Sequence, residues 1–97
     1  MEAKKQDENV VYIGSRSFMT YVTSVLTQFN RNDVKEVVIK ARGKFTSRAI
    51  DVSEVAIRQF LKDKNIKVTN VKTGSEEYTN KEGKKANVSI IEITLGK

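Results

Sequence analysis

Between Val37 and Asp51 the chain reads Val-Val-Ile-Lys-Ala-Arg-Gly-Lys-Phe-Thr-Ser-Arg-Ala-Ile-Asp, and no other stretch restricts the fold as much. An apolar run stops at Lys40, and cations then fall at 40, 42, 44 and 48 with no acid among them. Gly43 and the pair Thr46-Ser47 mark a turn into a helix. The segment is therefore a strand that feeds a basic loop into a helix start, with Thr46 or Ser47 as the expected cap. Free amides in a first helical turn attract anions, and cationic side chains beside them favour a phosphate over a small apolar ligand. Most charge clusters are only solvated turns, so the functional reading needs a second such loop.

The sequence supplies one. Val10-Val11-Tyr12-Ile13 is a short β-branched and aromatic run ended by Gly14, and it reads as a buried strand. Ser15-Arg16-Ser17 follows, with Ser17 suited to cap a helix in which Phe18, Val22, Val25 and Phe29 recur at helical spacing. If the two strands are parallel neighbours joined by a right-handed crossover, both strand-to-helix loops lie at one edge of the sheet. Two glycine turns, two helix starts and several cations then converge, which points to anion binding more specifically than either loop alone.

The second helix carries one apolar line at Ala49, Val52, Ala56 and Phe60 and another at Ile50, Ile57 and Leu61, wider than one contact surface requires. A third strand is expected over Ile66, Val68, Val71 and Thr73, with a slip in alternation near Asn70 that suggests a bulge. In the fourth, Val88 to Leu95, Ser89, Ile91, Ile93 and Leu95 share one face while Val88 and Ile90 share the other. That second apolar set implies a partner subunit if helices cover one face only. Glu76 to Asn87 is almost wholly polar around Gly83, so the hairpin should project as an arm with Lys81, Lys84 and Lys85 near its tip. The expected fold is α+β: a single compact β-α-β-α-β-β domain over residues 9–97, with a four-stranded mixed sheet, two helices on one face and the projecting hairpin. The polar, aperiodic residues 1–8 read as a flexible tail.

Composition narrows the chemistry. With 97 residues the chain is one domain, and its net charge of +6 becomes +7 over residues 9–97 because the first eight residues are net −1. An excess of that sign points to polyanions. The absence of cysteine and histidine removes disulfides, thiolate metal sites and the commonest general base, so no catalytic residue, metal site or cofactor is expected. No apolar run approaches a signal or membrane span, which suggests a soluble intracellular protein without a membrane partner. Asn87-Val88-Ser89 matches a glycosylation sequon and is read as chance.

The sequence also resembles the Alba family of archaeal chromatin proteins across Asn9 to Gly96. The resemblance rests on Asn9-Val10-Val11-Tyr12-Ile13-Gly14, Met19 to Val22, Ile39-Lys40-Ala41-Arg42-Gly43-Lys44, Ser47-Arg48-Ala49-Ile50-Asp51, Phe60-Leu61, and Val88-Ser89-Ile90-Ile91-Glu92-Ile93. It implies a cytoplasmic, chromosome-associated homodimer that binds double-stranded DNA and also RNA with little sequence preference. Basic loops would lie on the duplex backbone and hairpin arms along the minor groove. Arg42 and Lys44 match family positions that contact nucleic acid, and Phe60 matches an aromatic at a contact between dimers. Where the family usually reads Lys-Lys-Pro, this chain has Ser15-Arg16-Ser17.

The leading reading is thus a non-enzymatic, sequence-tolerant nucleic-acid-binding protein. Its candidate contacts are Ser15 and Arg16 in the first loop, Lys40, Arg42 and Lys44 with Arg48 in the second, and Lys81, Lys84 and Lys85 on the arm. No helix carries the Arg, Asn and Gln expected of a major-groove reader, and Tyr12, Phe18, Tyr21 and Phe29 read as core, not as a stacking set. Phe45 is expected to pack, and Tyr78 is left open. An alternative is a structured-RNA-binding subunit of a ribonucleoprotein. A phosphate-ester enzyme built on the two glycine loops is a third reading, which lacks a Walker pattern, histidine and a carboxylate pair.

Overall fold

Alternation in the two middle strands lays down the core. In a computed structural model that describes residues 9–31 and 33–97, strand β2 (Glu36–Arg42) buries Val37, Ile39 and Ala41, and strand β4 (Lys85–Gly96) buries Ile91, Ile93 and Leu95. The strands pair antiparallel with Ile39 opposite Ile93 and Ala41 opposite Ile91, so these side chains form one apolar face. Strand β1 (Val10–Tyr12) joins β2 in parallel, and strand β3 (Lys67–Thr79) pairs antiparallel with β4, giving the order β1-β2-β4-β3.

Helices α1 (Phe18–Phe29) and α2 (Thr46–Val55) cover that face, with Val22, Val25, Ala49 and Val52 fully buried against it. The α+β architecture is the one expected. Residues 1–8, read as a tail, lie outside the described residues.

Local chemistry departs from expectation at the helix ends. Ser17 takes the extended cap conformation, but its hydroxyl meets the Thr20 hydroxyl at 2.7 Å and caps no amide. Neither Thr46 nor Ser47 precedes α2: a 3-10 turn over Gly43–Phe45 runs straight into it, and Thr46 Oγ1 donates back to the Gly43 carbonyl at 3.0 Å. The helix begins earlier than a capping pattern suggests because Gly43, at φ +56°, makes the sharp bend.

At its other end α2 passes into a π turn, Ala56–Phe60. The wider turn adds one residue, so the inward position after Ala56 falls to Leu61, 2% exposed, and Phe60 is left 48% exposed. Helical spacing alone had aligned Phe60 with the buried line.

The slip near Asn70 is a bulge between Val68 and Asn70, and it sets both Val68 and Val71 toward the helix side, opposite Leu95 and Ile93. No residue of β3 is buried, because α2 packs across β2 and β4 and stops short of it. Ile50, Phe60, Val68 and Val71 are consequently exposed apolar positions on the helix side, together with Met19 on α1. Val88 and Ile90, expected to be the open apolar set, are half-buried on the opposite face.

The arm extends the molecule to 48 × 31 × 22 Å and a radius of gyration of 14.4 Å, against about 12.5 Å for a compact chain of this length. Its tip is well built. Asn80 Oδ1 accepts from the Glu82 and Lys84 amides at 3.0 Å each, Asn80 N donates to the Lys84 carbonyl at 2.8 Å, and Gly83 takes φ +83°.

Candidate nucleic-acid interface

Parallel pairing of β1 with β2, in register from Val10 opposite Val38 to Tyr12 opposite Lys40, brings both strand-to-helix loops to one edge. Two side chains then lock them together. Tyr21, buried on α1, uses its hydroxyl to accept from the Gly14 and Arg16 amides, each at 2.9 Å. Arg48, from the first turns of α2, donates to the Gly14 carbonyl at 3.3 Å and lies over the Tyr21 ring at 5.9 Å.

This arrangement changes how the loop can hold an anion. The Gly14 and Arg16 amides are committed to Tyr21, so the first loop offers the exposed Arg16 side chain and Ser15 hydroxyl in place of a backbone cradle. Sequence reasoning had treated Tyr21 only as core; a tyrosine where phenylalanine would fill the same space was the signal of a polar task. Arg48 keeps further N–H donors but spends one as a strut between the loops.

The remaining cations divide into two sets. Lys44 is exposed at the turn, its ammonium 5.4 Å from the Phe45 ring, and Phe45 itself packs against the core as expected. Lys40 and Arg42 stand on the sheet face away from the helices, and both meet acids. Lys40 Nζ is 3.7 Å from Glu92 and 5.9 Å from the Tyr12 ring, and Arg42 Nε is 3.3 Å from Glu76 on the arm. These acids escaped sequence reasoning because the pairing is set by cross-strand register: Lys40 lies directly opposite Glu92, while Arg42 reaches past β4 to β3. Among the described residues Arg16, Lys44, Lys81, Lys84 and Lys85 pair with no carboxylate.

Tyr12 is the clearest correction. Read as core, it is 63% exposed, because alternation sends Val11 and Ile13 inward and Tyr12 onto the open face. Tyr21 and Phe29 are buried as expected, Phe18 is partly so, and Tyr78 is 44% exposed.

Comparison with known proteins agrees with this architecture. The Alba family model matches residues 9–75. The DNA/RNA-binding protein Alba of Methanococcus maripaludis is 42% identical over 90 residues, covering 93% of this chain and 99% of that one. DNA/RNA-binding protein Alba 1 of Archaeoglobus fulgidus is 47% identical over 90 residues, covering 93% and 97%. The solved structure of Alba from Thermoplasma volcanium superimposes with a TM-score of 0.82 at 38% identity, covering 92% of this chain and all of that one. The chain belongs to the Alba family.

Proposed function

We propose that this protein is a non-enzymatic chromatin protein that binds double-stranded DNA, and RNA, through the phosphate backbone. The observation that carries the reading is the Arg48 strut to Gly14, which holds two strand-to-helix loops at one edge with Arg16, Arg42 and Lys44 around them. Relatives named DNA/RNA-binding proteins support it. Ser15, Lys40 and Arg48 flank the same edge, and Lys81, Lys84 and Lys85 extend it along the arm, whose reach suits the minor groove. Backbone contacts of this kind position a duplex without reading bases.

A second copy of the chain covers the apolar positions Ile50 and Val71 in this reading, making a homodimer with two edges and two arms. Phe60 lies ten residues beyond Ile50, at the end of the π turn that follows α2, and is exposed to meet a neighbouring dimer. Among the described residues no helix is long and apolar enough to cross a membrane. The proposed place of action is the chromosome in the cytoplasm.

The test is fluorescence anisotropy on duplexes of different sequence at fixed salt, with folded RNA as competitor. Arg42→Ala weakens every duplex alike; a change in preference between sequences would refute backbone readout. Competition by structured RNA far stronger than by duplex DNA makes the ribonucleoprotein reading the better one.

A further inference from the structure

The open face of the sheet carries two aromatic rings that duplex binding leaves unused, beside cations that the two contacts share. Tyr12 and Tyr78 are 63% and 44% exposed, and with Lys40, Arg42, Val88 and Ile90 they line one groove of about 540 Å³. The register explains how they meet. Tyr12, Lys40 and Glu92 stand in one cross-strand row, Arg42 and Ile90 in the next, and Glu76 and Val88 in a third, with Tyr78 opposite Ala86 beyond them. An apolar floor thus runs between two aromatic rings and is flanked by two cations.

That combination does not suit a duplex, whose outer surface is phosphate and sugar and whose base faces are hidden. An unpaired strand is the complement: each base presents a flat aromatic face to a tyrosine or an apolar floor, and its phosphates fall beside the cations. The charge pattern agrees. Lys40 and Arg42 are held by Glu92 and Glu76 at 3.7 and 3.3 Å, with about half to two-thirds of the Arg42 pair still exposed (60% and 51%) and the Lys40 pair about one-third exposed (34% and 32%). The Arg42 pair is exposed enough to be weak, so a phosphate can displace its acid, and the Lys40 pair, at 3.7 Å, is longer than a close charge-assisted hydrogen bond. We propose that this face is a second nucleic-acid site, selective for unpaired nucleotides, in which Tyr12 and Tyr78 stack on bases while Lys40 and Arg42 hold the intervening backbone. The proposal deepens the nucleic-acid reading above and rests on it for the identity of the polymer.

The experiment uses the full chain with two probes at the same salt: a single-stranded oligo(dA) containing 2-aminopurine, whose fluorescence is quenched on stacking, and a labelled duplex. The wild type and Tyr12→Phe quench the strand. Tyr12→Leu and Tyr78→Leu each lower single-strand affinity about fivefold or more and lose quenching, while duplex affinity is unchanged. Tyr12 is exposed, so removing its ring spares the core; Tyr78→Leu, on the arm, repeats the test far from it. A wild type that binds duplex but shows no quenching, or leucine variants that lose duplex and strand in parallel, overturns the stacking site alone. A wild type that binds neither probe overturns the nucleic-acid reading itself.

Discussion

Removing the charge of Glu76 should strengthen duplex binding, although it deletes an ion pair. Arg42 Nε lies 3.3 Å from Glu76 Oε1, and the side chains are 60% and 51% exposed. At that separation the attraction in water is about 1.3 kcal/mol before salt screening. Exposed pairs retain about 0.2–1 kcal/mol of it after side-chain ordering. A phosphate that takes Arg42 must first displace Glu76 and then lie beside its freed carboxylate. Glu76→Gln removes both costs and should raise duplex affinity by about 1.4- to 5-fold per site, the conversion of that range, while lowering folding stability by no more than the same amount.

The assay is anisotropy on one duplex across a salt series, with the substitution placed in the native chain and in Arg42→Ala. The gain should be largest at low salt and shrink as salt screens the pair. It should also shrink in the Arg42→Ala background, since a double-mutant cycle isolates the coupling between the two groups. An unchanged gain in that background means Glu76 acts as a distant charge, and no gain at low salt means Arg42 does not reach the phosphate.

Replacing Lys81, Lys84 and Lys85 together with Ala should weaken duplex binding and leave the melting temperature nearly unchanged, because every residue of β3 is exposed and the arm tip touches no core; a large fall in melting temperature would show a packed arm. Phe60→Ala should leave a chain that folds and binds a single short duplex normally but coats long DNA less cooperatively, as its 48% exposure allows, whereas dissociation to monomers in sedimentation would refute that placement. Gly43→Ala should destabilise the fold by about 1–2 kcal/mol, seen as a lower denaturant midpoint, since φ is +56° and a Cβ would meet Val88 Cγ2 at 3.1 Å. Normal stability in that variant would show that the turn relaxes freely.

The strands, helices and hairpin were legible because their apolar spacings are long enough to fix a period, and Gly14, Gly43 and Gly83 punctuate them. Three features were hidden for separate physical reasons. Tyr12 sits in a strand of three residues, too short for alternation to be told from a buried run. Phe60 keeps α-helical spacing from Ala56, but the π turn is a tertiary adjustment that hands the buried place to Leu61. The acids that hold Lys40 and Arg42 lie more than thirty residues away and are brought to them only by strand order and register. The site's cations were therefore readable, and their pairing was not.

That pairing makes the cations unequal in a measurable way. A free cation that neutralises a phosphate releases the ions condensed there and lowers the log-log salt slope by about 0.9 per contact. A cation drawn from an ion pair leaves behind a bare carboxylate, which gathers counter-cations of its own and cancels part of that release. Lys44, with no carboxylate partner among the described residues, should contribute nearly the full increment, and Arg42, paired with Glu76, distinctly less. Lys44→Ala should accordingly flatten the salt dependence more than Arg42→Ala does, even where the two lose similar affinity at one salt concentration. In Glu76→Gln the carboxylate is gone, so removing Arg42 should then flatten the slope as much as removing Lys44. Equal slopes for the two single variants in the native background would mean that the Arg42–Glu76 pair is already open in solution, and that the acid does not set the strength of this contact.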